Sequence, residues 1–349
     1  MTFDWRPPES WLRITAVDAH TAGEPLRIFT GGLPPIPGET ILAKRAYAKK
    51  HLDHLRQATM WEPRGHADMY GAILTEPVTP DGHVGVLFLH NEGFSTMCGH
   101  GIIALTKVGL ETGLLRPDQV TVLADGTAEV RIDTPAGRVT AHAIRNANGN
   151  IDHVSFRNVP SFVYTLDQTV VVPGLGSIPY DVAYGGAFYA FCRADDLGVD
   201  LTPAAFRQLI DVGMSIKHAV MESLPIRHPF EDDLGFLYGV IIVGPAHNPA
   251  NHSRNVCIFA DGEVDRSPTG TGVSARAALH VARGEIGLHE PFTVESILGT
   301  PFTGAAVETL RYGDYDAIIP QVSGTAYITG INEFIVDPND PLAHGFLLR

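Results

Sequence analysis

Residues able to do chemistry concentrate in two short stretches, "MCGHGIIAL" from Met97 to Leu105 and "PTGTGVSAR" from Pro268 to Arg276. Each has a short polar residue, then Gly-x-Gly, then an apolar run. The leading residue is Cys98 in one copy and Thr269 in the other. A helix starting at such a turn offers unpaired N–H groups and a partial positive charge, and glycine lets a ligand approach that backbone closely. Two such ends facing each other would hold one small anion. A thiol at Cys98 is favoured as thiolate by the helix end and its N–H donors. The blander alternative is a buried structural cysteine; its place beside Gly99-His100-Gly101 favours a functional one. Asp265, shortly before Thr269, either accepts a hydrogen bond from a substrate ammonium or shapes a turn. His100 acts through its imidazole or lends only its backbone N–H.

Other candidates carry less. Cys192 in "FYAFCRA" and Cys257 in "NVCIFA" lie in strand-like apolar runs and are expected in the core. Both glycine turns also fit G-x-G-x-x-A (Gly99, Gly101, Ala104 and Gly270, Gly272, Ala275). Alone that dinucleotide fingerprint is weak, and no βαβ unit with an acid at the right distance accompanies it. Anion binding is therefore expected and a nicotinamide cofactor is not. His247 and His252 have no helical metal-ligand spacing and are expected in a loop.

The elements that must position these residues repeat. "TAGEPLRIF" from Thr21 resembles "YGGAFYAFC" from Tyr184, "MYGAILTEP" from Met69 resembles "LYGVIIVGP" from Leu237, and the two glycine turns follow in the same order. Three matches in order suggest two homologous halves. "HVGVLFL" and "NVCIFA" have strand composition. After each glycine turn comes a helix apolar on most sides, with Ile102, Ile103, Leu105, Val108 and Leu110 in one and Val273, Ala277, Ala278 and Val281 in the other. A helix apolar all round is buried. Each half is expected to wrap a sheet around a central helix.

The chain has 349 residues, 44% hydrophobic and 18% charged, ample for a folded core. Its formal charge of −14, with no basic cluster, argues against nucleic acid as a partner. Neither a secretory signal nor a membrane-length apolar run is present, so no membrane partner is expected. Three scattered cysteines without C-x-x-C suggest neither zinc nor disulfides, and a cytoplasmic setting.

The stretches "DAHTAGEP", "EPRGHADMYGA", "MCGHG", "NVPSFV", "AYGGAFYA", "DRSPTGTG" and "ITGINEFIVDPNDP" together resemble the proline racemase family over nearly the whole chain. That resemblance implies the α/β fold shared with diaminopimelate epimerase. It has two pseudo-symmetric halves, each a curled, mostly antiparallel sheet around a central helix, with the active site in the cleft. The halves would be residues 1–165 and 166–324, with a C-terminal strand at about 325–349 returning to the first. It further implies Cys98 and Thr269 as the catalytic pair, and substrate contacts from Gly99, His100, Asp265, Gly270 and Thr271. No cofactor or metal and a homodimer would be expected.

Racemases and epimerases of the family carry cysteine at both positions. Thr269 looks like the branch that dehydrates trans-3-hydroxy-L-proline to 1-pyrroline-2-carboxylate. Leu234 in "DLGFLYG", where epimerases tend to have histidine, points the same way. Stereoinversion needs an acid–base group on each face of the α-carbon, which a threonine hydroxyl cannot supply near neutral pH. In the trans-3-hydroxy isomer the α-hydrogen and the 3-hydroxyl share one ring face, so one armed face suffices. The alternatives are a proline racemase or 4-hydroxyproline epimerase and, further off, a non-catalytic amino-acid-binding homologue.

Overall fold

The computed structural model describes residues 4–348. The chain begins with β1 (Leu12–Thr21), β2 (Glu24–Gly31), α1 (Ile41–His51), α2 (Asp53–Met60), β3 (Tyr70–Thr75), β4 (Val84–His90) and β5 (Gly93–Phe94). Then come α3 (Gly99–Thr112), β6 (Thr121–Val122), β7 (Ala128–Thr134), β8 (Gly137–Arg145) and β9 (Ile151–Arg157). It continues through β10 (Ser161–Val172), β11 (Gly176–Tyr184), β12 (Phe188–Arg193), α4 (Ala194–Leu197), α5 (Phe206–Ser223), β13 (Leu237–Gly244), β14 (Ser253–Phe259) and β15 (Glu263–Asp265). The last elements are α6 (Gly270–Ala282), β16 (Phe292–Glu295), β17 (Pro301–Tyr312), β18 (Tyr315–Gly324) and β19 (Ala326–Val336).

This is a mixed α/β fold, rich in strands and poor in helices, whose strands join one hydrogen-bonded system. In the first part β2 runs parallel to β3, β3 antiparallel to β4, β4 antiparallel to β5, and β4 parallel to β7. In the second part β12, β13, β14, β15 and β16 pair in the same directions and the same order. Helices α1 and α2 bridge the first parallel pair, and α5 bridges the second. A parallel pair cannot close with a tight turn, so each needs such a crossover. β19 lies antiparallel along β1, and β18 pairs with both β9 and β10.

α3 and α6 are the buried helices. Ile102, Ile103, Leu105 and Val108 are fully covered, each contributing roughly 1.5–3 kcal/mol. On α6 every residue from Gly270 to His280 is buried. α3 packs against β1 and β9, α6 against β10, β17 and β18, and both helices belong to one continuous apolar core. Gly113, at φ 78°, ends α3 in the left-handed conformation that glycine adopts without strain. Among the described residues no helix is long and apolar enough to cross a membrane.

Candidate active site

The N-termini of α3 and α6 meet. A Cβ on Gly99 would lie 2.5 Å from Gly270 Cα, and one on Gly270 would lie 2.7 Å from Gly99 Cα. Glycine at both positions is therefore a condition of this contact, and the contact brings two sets of helix N–H groups to one place.

The residues leading into the helices behave differently. Cys98 has extended backbone (φ −147°, ψ 107°), and its Sγ accepts the Gly101 N–H at 3.2 Å, the geometry of an N-cap. Thr269 has φ 66°, an uncommon region that costs a β-branched residue on the order of 1–3 kcal/mol. Threonine caps helices well, yet this one makes no cap bond. Its N–H goes to Ser267 Oγ at 3.1 Å. Its hydroxyl lies buried beside Asp265 and Cys257 without a well-formed hydrogen bond to either.

Around Cys98 the site is buried. His100 presents its ring edge to the sulfur, with Nδ1 at 3.3 Å and Nε2 at 3.5 Å. The Tyr70 ring stands edge-on to His100, centroids 4.9 Å apart. Burial pushes the imidazole down to about 3, only partly opposed by the Pro25 backbone, so it is neutral at pH 7. Burial pushes the Cys98 thiol well above its ordinary range. The Gly101 N–H opposes that rise, while Asp265 and Glu24 add to it. Burial thus acts against the thiolate that the helix end favours.

Asp265 closes β15, opposite Cys257 on β14. Its Oδ1 accepts the Ser267 N–H at 2.7 Å. Burial raises its carboxyl to about 6 against the pull of hydrogen bonds from Ser267. Glu24 stands close by, one oxygen accepting the Arg266 N–H at 2.7 Å and the other without a hydrogen-bond partner. Burial first, and Asp265 second, raise its carboxyl well above the usual range. Thr271 Oγ1 shares a hydrogen bond with the Tyr189 hydroxyl at 2.7 Å.

One small cavity, about 20 Å³, is lined by Cys98, Gly99, His100, Asp265, Thr269, Gly270 and Thr271. All seven residues singled out from the sequence thus come together. Larger hollows lie elsewhere; one of about 550 Å³ beside Phe29 and Pro77 carries Lys44, Glu76 and His83 as its titratable groups. Among the described residues no cluster of His, Cys, Asp and Glu is arranged to hold a metal.

The same cavity is walled by groups the sequence reading did not single out, Tyr70, Tyr189, Tyr238, Cys257, Phe259 and Met97. Cys257 is buried on a strand as expected, but its position is not merely core: it faces the site on the Thr269 side. Cys192 lies on β12, away from these residues. A signal for two of the tyrosines was present, since Tyr70 and Tyr238 hold the same place in the repeated "MYGAILTEP" and "LYGVIIVGP" blocks.

The family model for proline racemase matches residues 16–347, and the chain belongs to the proline racemase family. Within it, the chain is similar to a trans-3-hydroxy-L-proline dehydratase of Colwellia psychrerythraea, 50% identical over 99% of this chain and 96% of the relative. It is also similar to a human trans-3-hydroxy-L-proline dehydratase, 46% identical over 96% of this chain and 95% of the relative. Among solved structures, a hydroxyproline epimerase from Agrobacterium vitis with bound trans-4-hydroxy-L-proline superposes with a TM-score of 0.90. That match has 29% identity and covers 98% of this chain and 96% of the other.

Proposed function

We propose that this protein is a hydro-lyase that dehydrates trans-3-hydroxy-L-proline to 1-pyrroline-2-carboxylate without a cofactor. One observation carries the reading: where two helix N-termini meet, the residue leading into α3 is a thiol, Cys98, and the one leading into α6 is a threonine, Thr269. The full-length similarity to proteins named as such dehydratases supports it.

The substrate carboxylate sits among the N–H groups that open α3 and α6, with Gly99, His100, Gly270 and Thr271 as its contacts. Charge that develops on the carboxylate as the α-proton leaves is stabilised by these fixed donors, each worth roughly 3–4 kcal/mol where one such donor has been removed from an enzyme. Asp265 meets the ring ammonium. Cys98 gives up its proton to solvent as the substrate's ring ammonium arrives beside it, and the thiolate then removes the α-proton. The 3-hydroxyl leaves from the same face, and the enamine tautomerises to the imine. Thr269 contributes its hydroxyl to substrate binding and supplies no second base.

The wider reading belongs to the same proposal. Among the described residues, those up to 165 with those from 325 form one half and residues 166–324 the other, related by pseudo-symmetry. The matching strand directions and the return of β19 to β1 support this. Three free thiols suit a reducing, cytoplasmic setting. Exposed Tyr327, Ile328 and Ile331 on β19 form apolar surface that a second copy would cover, and sedimentation tests that homodimer.

A second reading, proline or 4-hydroxyproline epimerisation, draws on Cys257, which puts another thiol on the Thr269 side. The deciding experiment incubates the purified protein with trans-3-hydroxy-L-proline, L-proline and trans-4-hydroxy-L-proline. 1-Pyrroline-2-carboxylate from the first substrate alone is the expected result. D-configured products that vanish in Cys257→Ser would establish the second reading instead.

A further inference from the structure

The dehydration reading leaves one proton unassigned, the one that converts the departing hydroxyl into water. Because that hydroxyl shares a ring face with the α-hydrogen, its acid must stand on the Cys98 side of the cavity. The cavity's hydroxyl and carboxyl groups divide unequally between the two sides. Toward α6, the Tyr189 hydroxyl is tied to Thr271 at 2.7 Å, and Asp265 is committed to the Ser267 N–H and the substrate ammonium. Toward α3, Tyr70 and Tyr238 bring their hydroxyls within 3.3 Å of each other. The Tyr70 hydroxyl also donates to Ser95 Oγ at 2.6 Å, a rotatable hydroxyl bond it exchanges for the substrate's 3-hydroxyl, and it lies beside Cys98. His100 is the other proton carrier there, and burial keeps it unprotonated.

We propose, resting on the dehydration reading above, that Tyr70 is the acid that protonates the departing 3-hydroxyl, with Tyr238 and Ser95 holding its phenol in position. The Cα–H bond breaks and its proton joins Cys98 sulfur. The electron pair left on Cα forms the Cα=C3 double bond as the C3–O bond breaks. The Tyr70 proton passes to the leaving oxygen, water departs, and the Cys98 thiol returns a proton to the Tyr70 oxygen. The active site ends as the substrate-bound complex began, with a thiolate and a neutral phenol. Burial holds both phenols well above their ordinary range, so Tyr70 gives its proton only as Cys98 replaces it. A thiol acting alone would have to serve Cα and the oxygen on C3 from one atom; the adjoining phenol lets the sulfur stay over Cα.

A general acid matters most when the leaving group is poor. Tyr70→Phe and wild type are therefore compared on trans-3-hydroxy-L-proline and trans-3-fluoro-L-proline, following pyrroline formation and fluoride release. Fluoride leaves with far less help from an acid than hydroxide. The expected result is a fall of about 10²–10⁴-fold in water elimination by Tyr70→Phe, with fluoride elimination reduced less than about tenfold. Equal losses on both substrates, or water elimination within about tenfold of wild type, would overturn the assignment. If Tyr70→Phe does not fold, Tyr238→Phe decides. A smaller loss confined to the hydroxyl substrate supports the phenol pair, and an equal loss on both overturns it. Failure of the dehydration reading is distinct, since wild type itself would then form no pyrroline from the hydroxyl substrate.

Discussion

At the scale of single residues, the site works through burial more than through charge. Cys98 sits against a neutral imidazole and two nearby carboxyl groups, with the Gly101 N–H and then the Tyr70 hydroxyl as favourable influences on its thiolate. Replacing it by serine keeps the size and the cap acceptor but not the acidity. Cys98→Ser is expected to lower kcat at least about 10³-fold while the thermal midpoint stays within a few degrees, since alcohol and thiol differ so widely as bases. Turnover near wild type would remove Cys98 from the proposed mechanism. The pH profile carries two signatures. Asp265, held at about 6, must ionise to meet an ammonium, so kcat/KM should rise with pH through that region. It should rise again in the alkaline range, because the Cys98 thiol gives up its proton late. Asp265→Asn should erase the lower rise, keep the alkaline one, and raise KM about 10–100-fold, the equivalent of one hydrogen bond to a charged group. A lower limb that persists in the Asn variant would assign that ionisation elsewhere.

At the scale of elements, the decisive feature is the contact between the starts of α3 and α6. Gly270→Ala would put a methyl 2.7 Å from Gly99 Cα and 3.1 Å from Gly99 carbonyl carbon, where only backbone is available to move. The two ends must separate. We expect a stability loss of about 1–3 kcal/mol and a fall in kcat/KM of about 10²-fold from misplacement on the ångström scale. Thermal melts and steady-state kinetics on the one variant check both, and kinetics within tenfold of wild type would show that the close contact is dispensable. Both helices were legible in the sequence because they are apolar on most sides and open on glycine, a pattern that a solvent-facing helix, with its polar stripe, does not have. Strands β4 and β14 were legible from their composition. Cys98 and the glycines that open those helices were legible for the same reason, while the substrate-contact set of Gly99, His100, Asp265, Gly270 and Thr271 and the pairing of Cys98 with Thr269 came from the family resemblance. The tyrosines were not legible. A tyrosine on a strand reads as core packing, and only the pairing of β3 with β4 and of β13 with β14 turns Tyr70 and Tyr238 toward the same cavity. Cys257 lies in the core as expected, and because all of β14 is buried its hydropathy does not reveal that this position also lines the cavity. The resting state of Cys98 was equally hidden, because a helix N-terminus is visible in sequence and its depth of burial is not.

At the scale of the molecule, the sheet of the second part is fastened by a buried ion pair away from the cavity. Arg254 on β14 meets Glu295 at the end of β16 at 2.6 Å, where those strands run parallel. The same carboxylate accepts the His247 and Asn248 N–H groups and the Asn251 side chain, while Arg254 also donates to the Leu201 carbonyl. These bonds fasten the loop between β13 and β14 to the sheet that carries Asp265. With so many donors on it, Glu295 is held down to about 2, despite an opposing push from burial. A carboxylate lowered on folding stabilises the native state above its unfolded value and loses that contribution as pH falls through the folded one. Asp265 and Glu24 have the opposite sign. Their raised carboxyls favour the folded state at acid pH, and that contribution is lost as pH rises through their folded values, about 6 for Asp265. Stability in acid is therefore a contest between the anchor and the site. Glu295→Gln leaves a buried guanidinium without its carboxylate, a change worth about 3–5 kcal/mol, or roughly 4–7 °C in thermal midpoint for a chain of this size. Calorimetry of wild type and variant from neutral pH down to pH 2 should show that gap at pH 7, and closing below about pH 4 as wild-type Glu295 takes up its proton. A gap that stays constant with pH would mean that Glu295 holds the loop by shape alone, without its charge.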